Sequence, residues 1–205
     1  MKILTIFFSS INKYGVKFLS LILVYEILNI YKLRLLDYFI LNSVKKKLEP
    51  CVPSPYYCLS KINKNIRGKK YCFIDFGCGR GRVIEYFKKN KFLTKIIGIE
   101  INKKLKSKLL KLQNKKTTVY IKDASNKVLL NLLCNKYSNQ NLILYFYHPF
   151  SEDIFNQIIN KFLSKSRKEI KIIVLGEIFI KKNLIKKFKI KKKKIYNFLN
   201  IYKFN

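Results

Sequence analysis

From residue 71 onward the chain alternates between two hydrophobic periods. Residues 71–76 form a short apolar run that carries Asp75 near its end and is stopped by glycines, which predicts a strand buried on both faces. Residues 82–90 place Val83, Ile84 and Phe87 on one side of a helix, and residues 95–100 (KIIGIE) predict a second strand. Asn102 is placed to cap a helix carrying Leu105, Leu109 and Leu112, and residues 117–121 read as a third strand. Ser125 is placed to cap a helix with Val128, Leu129, Leu132 and Leu133 on one face, ahead of a fourth strand at 141–146. Ser151 then opens the clearest amphipathic helix. Glu152 and Asp153 sit at its positive end, and Ile154, Phe155, Ile158, Ile159, Phe162 and Leu163 line one face. Residues 170–176 give a fifth strand, and residues 181–205 a short helix and two antiparallel strands.

Five strand–helix alternations predict an α/β fold, a parallel sheet with helices on both faces. In such sheets the ligand sits at the carboxyl ends of the strands. Residues 1–49 follow a different pattern, one or two apolar helices ending in Lys45, Lys46 and Lys47, and Pro50, Pro53 and Pro55 mark the break. Two segments are therefore expected: an N-terminal apolar helical segment at 1–49 and an α/β domain at 50–205. The apolar stretch at 18–31 carries Glu26 and is 14 residues long. A spanning helix needs about 20 residues, so the expectation is a packed helix or one lying on a membrane surface. Met1 and Lys2 precede only the apolar residues 3–8, with no small-residue cleavage pattern, so a secretory signal is not expected.

Composition adds two constraints. The 205 residues are 49% hydrophobic and 27% charged, enough apolar content for a core and about the length of one domain. The net charge of +33 comes from 44 basic against 11 acidic residues, which raises the question of an anionic partner. Lysine supplies 39 of those cations and arginine five, while alanine occurs once, at Ala124. Lysine is the weaker group for bidentate phosphate or base recognition. Compositional drift toward AT-rich codons on a solvated surface is thus the leading reading of the charge, and a selected anion-binding face the second. The cysteines at 51, 58, 72, 78 and 134 form no C-x-x-C pair, and the chain has one histidine, His148, so neither a zinc site nor any other metal is expected. Reduced thiols point to the cytoplasm.

The candidate chemistry lies at the first strand tip, Asp75-Phe76-Gly77-Cys78-Gly79-Arg80-Gly81, leading directly into a helix. Glycines there let the chain turn tightly and a ligand lie against the backbone. The dinucleotide fingerprint G-x-G-x-x-G would put its third glycine at 82, which is arginine. A pyrophosphate also sits poorly beside the Asp75 carboxylate, whereas a ligand with an ammonium and a sulfonium is attracted by it, which favours S-adenosylmethionine over NAD. Glu100 ends the second strand 19 residues beyond Gly81, where nucleotide-binding folds place an acid on the ribose hydroxyls. Asp123, past the third strand, is placed to accept from an adenine amino group, and Ala124 is small enough to lie beside the ring.

DFGCGRG, then GIE, then KDA resembles the class I S-adenosylmethionine-dependent methyltransferases over about residues 50–180. The resemblance implies a Rossmann-like, doubly wound seven-stranded sheet of order 3-2-1-4-5-7-6, with the last strand antiparallel and the N-terminal apolar helices preceding it. It implies S-adenosyl-L-methionine as cofactor, held by Asp75, Gly77, Cys78, Gly79, Gly81, Glu100, Asp123 and Ala124. The fourth strand ends Tyr147-His148-Pro149-Phe150, resembling the Asn-Pro-aromatic segment that orients the nucleophile in amino-methylating members, with His148 where Asn would stand. His148, Pro149 and Phe150 are the candidate catalytic residues, His148 as a base or positioner of the nucleophile. Pro53-Ser54-Pro55-Tyr56 resembles a lead-in that folds over the cofactor in some bacterial methyltransferases. The expected activity is methyl transfer to a nitrogen or oxygen of an unidentified acceptor (protein, nucleic acid or small molecule), a protein amino group slightly ahead. An RNA or DNA methyltransferase whose basic tail tracks phosphates is one alternative, and a non-catalytic cofactor-binding partner protein is another. A peripheral membrane contact through residues 1–49 is the remaining partner expectation.

Overall fold

The computed structural model describes residues 15–28, 53–147, 150–176, 179–196 and 199–204. Seven strands form one sheet: β1 (Tyr71–Phe76), β2 (Leu93–Glu100), β3 (Thr117–Ile121), β4 (Leu142–Tyr147), β5 (Ile170–Leu175), β6 (Lys191–Tyr196) and β7 (Leu199–Phe204). Their order is β3-β2-β1-β4-β5-β7-β6, the order that the methyltransferase resemblance implies. The first five are mutually parallel, while β7 is antiparallel to both β5 and β6. The helices are α1 (Val16–Leu28), α2 (Tyr56–Asn65), α3 (Arg82–Phe87), α4 (Lys106–Leu110, after a 3₁₀ turn at Lys103–Leu105), α5 (Lys127–Tyr137), α6 (Glu152–Lys165) and α7 (Lys182–Lys187).

The period of two along each strand divides the core between the sheet's faces. Cys72, Ile74 and Phe76 of β1 join Leu142, Leu144 and Phe146 of β4 under α5, α6 and α7. Tyr71 and Phe73, with Ile143 and Tyr145, face the other way, under α2 and α3 and against α1. Every residue of β1 is buried, as its unbroken apolar run requires. The same rule drives Asp75, fifth in that run, into the interior on the α2 and α3 side.

Two expected caps differ in detail. Asn126, not Ser125, caps α5, its Oδ1 accepting from Leu129 N at 2.9 Å, because Asp123 holds Ser125 through both its N–H and its hydroxyl at 2.7 Å each. Ser151 occupies the N-cap position of α6 with extended backbone, but its side chain makes no capping bond. Asn102 caps the turn into α4 as expected, accepting from Lys104 N at 3.0 Å.

Of the N-terminal segment, α1 lies against the domain. Phe18, Leu21, Ile22 and Tyr25 pack on the α2 side of the core, with Phe18 and Tyr25 set edge-on to Tyr57. Its outer face, Val16, Leu23, Val24, Ile27 and Leu28, is exposed although apolar. Among the described residues no helix is long and apolar enough to cross a membrane, and no cluster of residues able to hold a metal ion is found. Cys58, Cys72, Cys78 and Cys134 are buried, and none of the four is in a disulfide. Burial pushes the Cys58 and Cys72 thiols up to about 12 and that of Cys134 to about 11, which keeps them protonated and unreactive. Cys51 lies outside the described residues.

Candidate active site

The parallel register brings the tips of β1, β2 and β4 to one end of the sheet: Asp75 pairs with Gly98 on one side and Tyr145 on the other. Beyond Asp75 the chain reverses through Gly77, Gly79 and Gly81 with φ of 79°, 52° and 83°, all left-handed values that disfavour side chains. Gly81 is also crowded, because a Cβ there would run into Leu112 Cδ1. Gly98 was not among the candidates. A Cβ on it would meet Ile84 Cδ1 at 2.6 Å and Cys78 Sγ at 2.9 Å, so its bare backbone is what lets the glycine loop lie on β2. A glycine inside the strand pattern KIIGIE was the legible signal.

The backbone donors of this loop are turned inward. Gly77 N and Cys78 N both donate to Ile99 O at 2.9 Å, and Gly81 N donates to Cys78 O at 2.8 Å. Gly79 N donates to Glu100 Oε2 at 2.8 Å, while Asn102 N donates to Glu100 Oε1 at 2.8 Å. A phosphate-binding loop presents these N–H groups to its ligand. Here the protein itself consumes those four, and what the tip offers is negative charge.

Two of those charges are buried. Asp75 is 2% exposed and Glu100 9%, and Asp75 Oδ2 has no hydrogen-bond partner. Burial, with the Glu100 charge adding to it, pushes the Asp75 carboxyl well above its ordinary value. A positive group arriving there would satisfy an orphaned acceptor and relieve the repulsion between two carboxylates.

The remaining sequence candidates fall as follows. Asp123 is exposed beyond the tip of β3 and closes a turn onto Ser125. Ala124 is buried in the core beneath α5. Phe150 is half-buried, its ring edge-on to Phe146 at 6.0 Å. His148 and Pro149 lie outside the described residues.

Four further residues gather at the same end and were not singled out from the sequence as site residues. Ser54 Oγ and Tyr145 Oη share a buried hydrogen bond of 2.7 Å. Arg82 Nη1 lies 3.0 Å from Glu26 Oε2, both side chains largely enclosed. The signals were present: an arginine where a third glycine is expected, a lone acid in an apolar run, and a serine between two prolines.

This sheet order, with the glycine turn and acid at the tip of β1 and a second acid at the tip of β2, is the class I methyltransferase fold. No family model and no curated relative matches the chain. Among solved structures, yhhF from Escherichia coli, a candidate methyltransferase, aligns with a TM-score of 0.51 at 16% identity over 78% of this chain and 92% of its own. SMU.1697c from Streptococcus mutans, a candidate methyltransferase in complex with SAH, aligns with a TM-score of 0.47 at 14% identity over 75% of this chain and 99% of its own.

Proposed function

We propose that the protein is an S-adenosylmethionine-dependent methyltransferase. The observation that carries the reading is the pairing of two buried carboxylates, Asp75 and Glu100, with a glycine loop whose donors at residues 77, 78, 79 and 81 are already spent. That chemistry suits an ammonium and a sulfonium and repels a pyrophosphate, which separates the methyl donor from NAD. The solved structures of the same fold include DhpI and TrmK of M. capricolum in complexes with S-adenosylhomocysteine.

In this reading Asp75 and the turn at Gly77–Gly81 hold the methionine end of the donor, and Glu100 takes the ribose through acceptor capacity left beyond its two backbone bonds. Asp123 and Ala124 flank the adenine. When bound, the donor supplies a methyl group on a good leaving group, so the protein's task is in-line placement of an unprotonated nucleophile in a dry site. His148, Pro149 and Phe150 are proposed to form the acceptor side, with His148 taking the nucleophile's proton. The acceptor is read as a nitrogen or oxygen, a protein amino group ahead of RNA.

Calorimetry with S-adenosylhomocysteine tests the donor site. Asp75→Ala and Glu100→Ala should each weaken binding about tenfold or more, the effect of a lost charged hydrogen bond worth about 1.5–3 kcal/mol. Unchanged affinity in both, or binding of NAD in place of S-adenosylhomocysteine, discards the reading. Labelled donor incubated with protein and RNA fractions identifies the acceptor class.

A further inference from the structure

Glu26 makes contacts that apolar packing of α1 does not require. Phe18, Leu21, Ile22 and Tyr25 already hold that helix on the domain, yet the carboxylate of Glu26 is carried inward and used at both oxygens. Oε1 accepts from Tyr56 N at 2.9 Å, and Oε2 from Arg82 Nη1 at 3.0 Å.

The first of these bonds completes another element. α2 begins at Tyr56 behind Pro55, whose side chain makes no capping bond. Glu26 supplies from 30 residues upstream the anionic acceptor that a helix start favours. The residue just before Pro55 is Ser54, whose hydroxyl meets Tyr145 Oη. Tyr145 stands in register with Asp75 on the adjacent strand, and the period of two puts both side chains on the same face. The capping bond therefore steadies a segment that is joined through Ser54 to Tyr145, the strand neighbour of Asp75.

The second bond reaches the glycine loop. Arg82 is the first residue of α3, directly after Gly81. Its guanidinium also lies 4.8 Å from the centre of the Tyr56 ring and 3.4 Å from Ser54 O. One carboxylate thus ties the start of α2 and the start of α3 together. Enclosing an ion pair is a poor way to gain stability, since its desolvation offsets most of its attraction, whereas it does define direction. Arginine suits the role because its planar fork reaches several partners at fixed angles, which lysine, dominant elsewhere in this chain, does not.

We infer that Glu26 is a positioning residue of the donor site: through Arg82 and the Ser54–Tyr145 pair it holds the glycine loop and the 53–56 segment against Asp75. The inference rests on the methyl-donor reading above. It makes α1 part of the site's framework, so that the donor-binding unit begins upstream of the proline break.

The test compares Glu26→Ala and Glu26→Gln with the wild-type full chain, using S-adenosylhomocysteine calorimetry, thermal melting and amide hydrogen exchange across residues 77–82. Glu169→Gln, a change to a buried acid at the far end of the sheet, is the control for general loosening. Glu26→Ala should weaken binding about tenfold and accelerate exchange at 77–82. Glu26→Gln, which keeps an acceptor for Tyr56 N, should recover part of both, and Glu169→Gln should lower the melting temperature with affinity held within about twofold. Wild-type affinity and exchange in Glu26→Ala overturn the inference, as does an equal loss of affinity in Glu169→Gln. If Glu26→Ala does not fold, Glu26→Gln decides: affinity about threefold weaker at an unchanged melting temperature sustains it, and wild-type affinity overturns it. Failure of the wild type to bind S-adenosylhomocysteine sinks the donor reading instead. Exchange at 77–82 then reports only whether Glu26 holds the glycine loop: unchanged exchange in the variants overturns that hold as well, and faster exchange keeps the hold without a donor site.

Discussion

The two ends of the sheet treat a buried carboxylate in opposite ways. At the amino end Glu169, 6% exposed, is surrounded by partners. Lys69 Nζ donates to Oε2 and Tyr71 Oη to Oε1 at 2.8 Å each, and Lys171 and Lys203 lie 3.8 Å and 3.6 Å away. Burial pushes this carboxyl up, but the hydrogen bonds from Lys69 and Tyr71 and the charges of Lys203 and Lys171 outweigh it and hold it below its ordinary value. At the carboxyl end Asp75 has an orphaned oxygen, a neighbouring carboxylate and a carboxyl pushed up. The first acid is finished by the fold, while the second is left unfinished at a cost in stability, as expected where a ligand completes the set.

The largest way to break this comparison is Glu169→Ala. It leaves Lys69, Lys171 and Lys203 facing one another and Tyr71 without its acceptor, and should destabilise the protein by about 2–3 kcal/mol, the value for a broken buried pair reduced because Lys69 and Lys203 are half exposed. Urea unfolding measures it, and S-adenosylhomocysteine affinity should hold.

Asp75→Asn should act in the reverse sense. Removing a charge from an enclosed side chain should stabilise the unliganded protein by about 1 kcal/mol or more at pH 7, while binding weakens about tenfold. The pH dependence sharpens the contrast. A carboxyl raised above its unfolded value of 3.8 keeps its proton in the folded state, so its full cost is absent below that pH and grows as pH rises toward the native value. The advantage of Asp75→Asn should therefore vanish in acid. Glu169, lowered from 4.5, contributes stability above that pH and loses it as pH falls through its native value. Melting curves between pH 3 and pH 8 read both signs.

The smallest effect is expected for Tyr145→Phe. It removes the 2.7 Å bond to Ser54 and should cost about 1 kcal/mol in urea unfolding, with no change in the pH profile, since burial keeps this phenol protonated far above that range.

Much of this was legible in order along the chain. β1 and β3 fall on the predicted residues, and β2, β4 and β5 differ from their predicted spans only at the ends. Strand alternation implies parallel pairing, and the glycine turn marks the tip that carries Asp75. Those features depend on neighbours a few residues apart. The capping exchange at Ser125 and Asn126 was less legible because Asp123 competes for the serine, a choice among near-equal local bonds.

The sequence alone determined the alternation of elements, the sheet's class and the presence of acids at two strand tips, because periodicity and glycine spacing act locally. Only the tertiary structure decided what those acids face. It turned the loop's N–H groups onto Ile99 and Glu100, left Asp75 Oδ2 unpaired, and brought Glu26 to Arg82 across 56 residues. Such pairings depend on which surfaces the packed sheet brings together, and no local pattern encodes that distance.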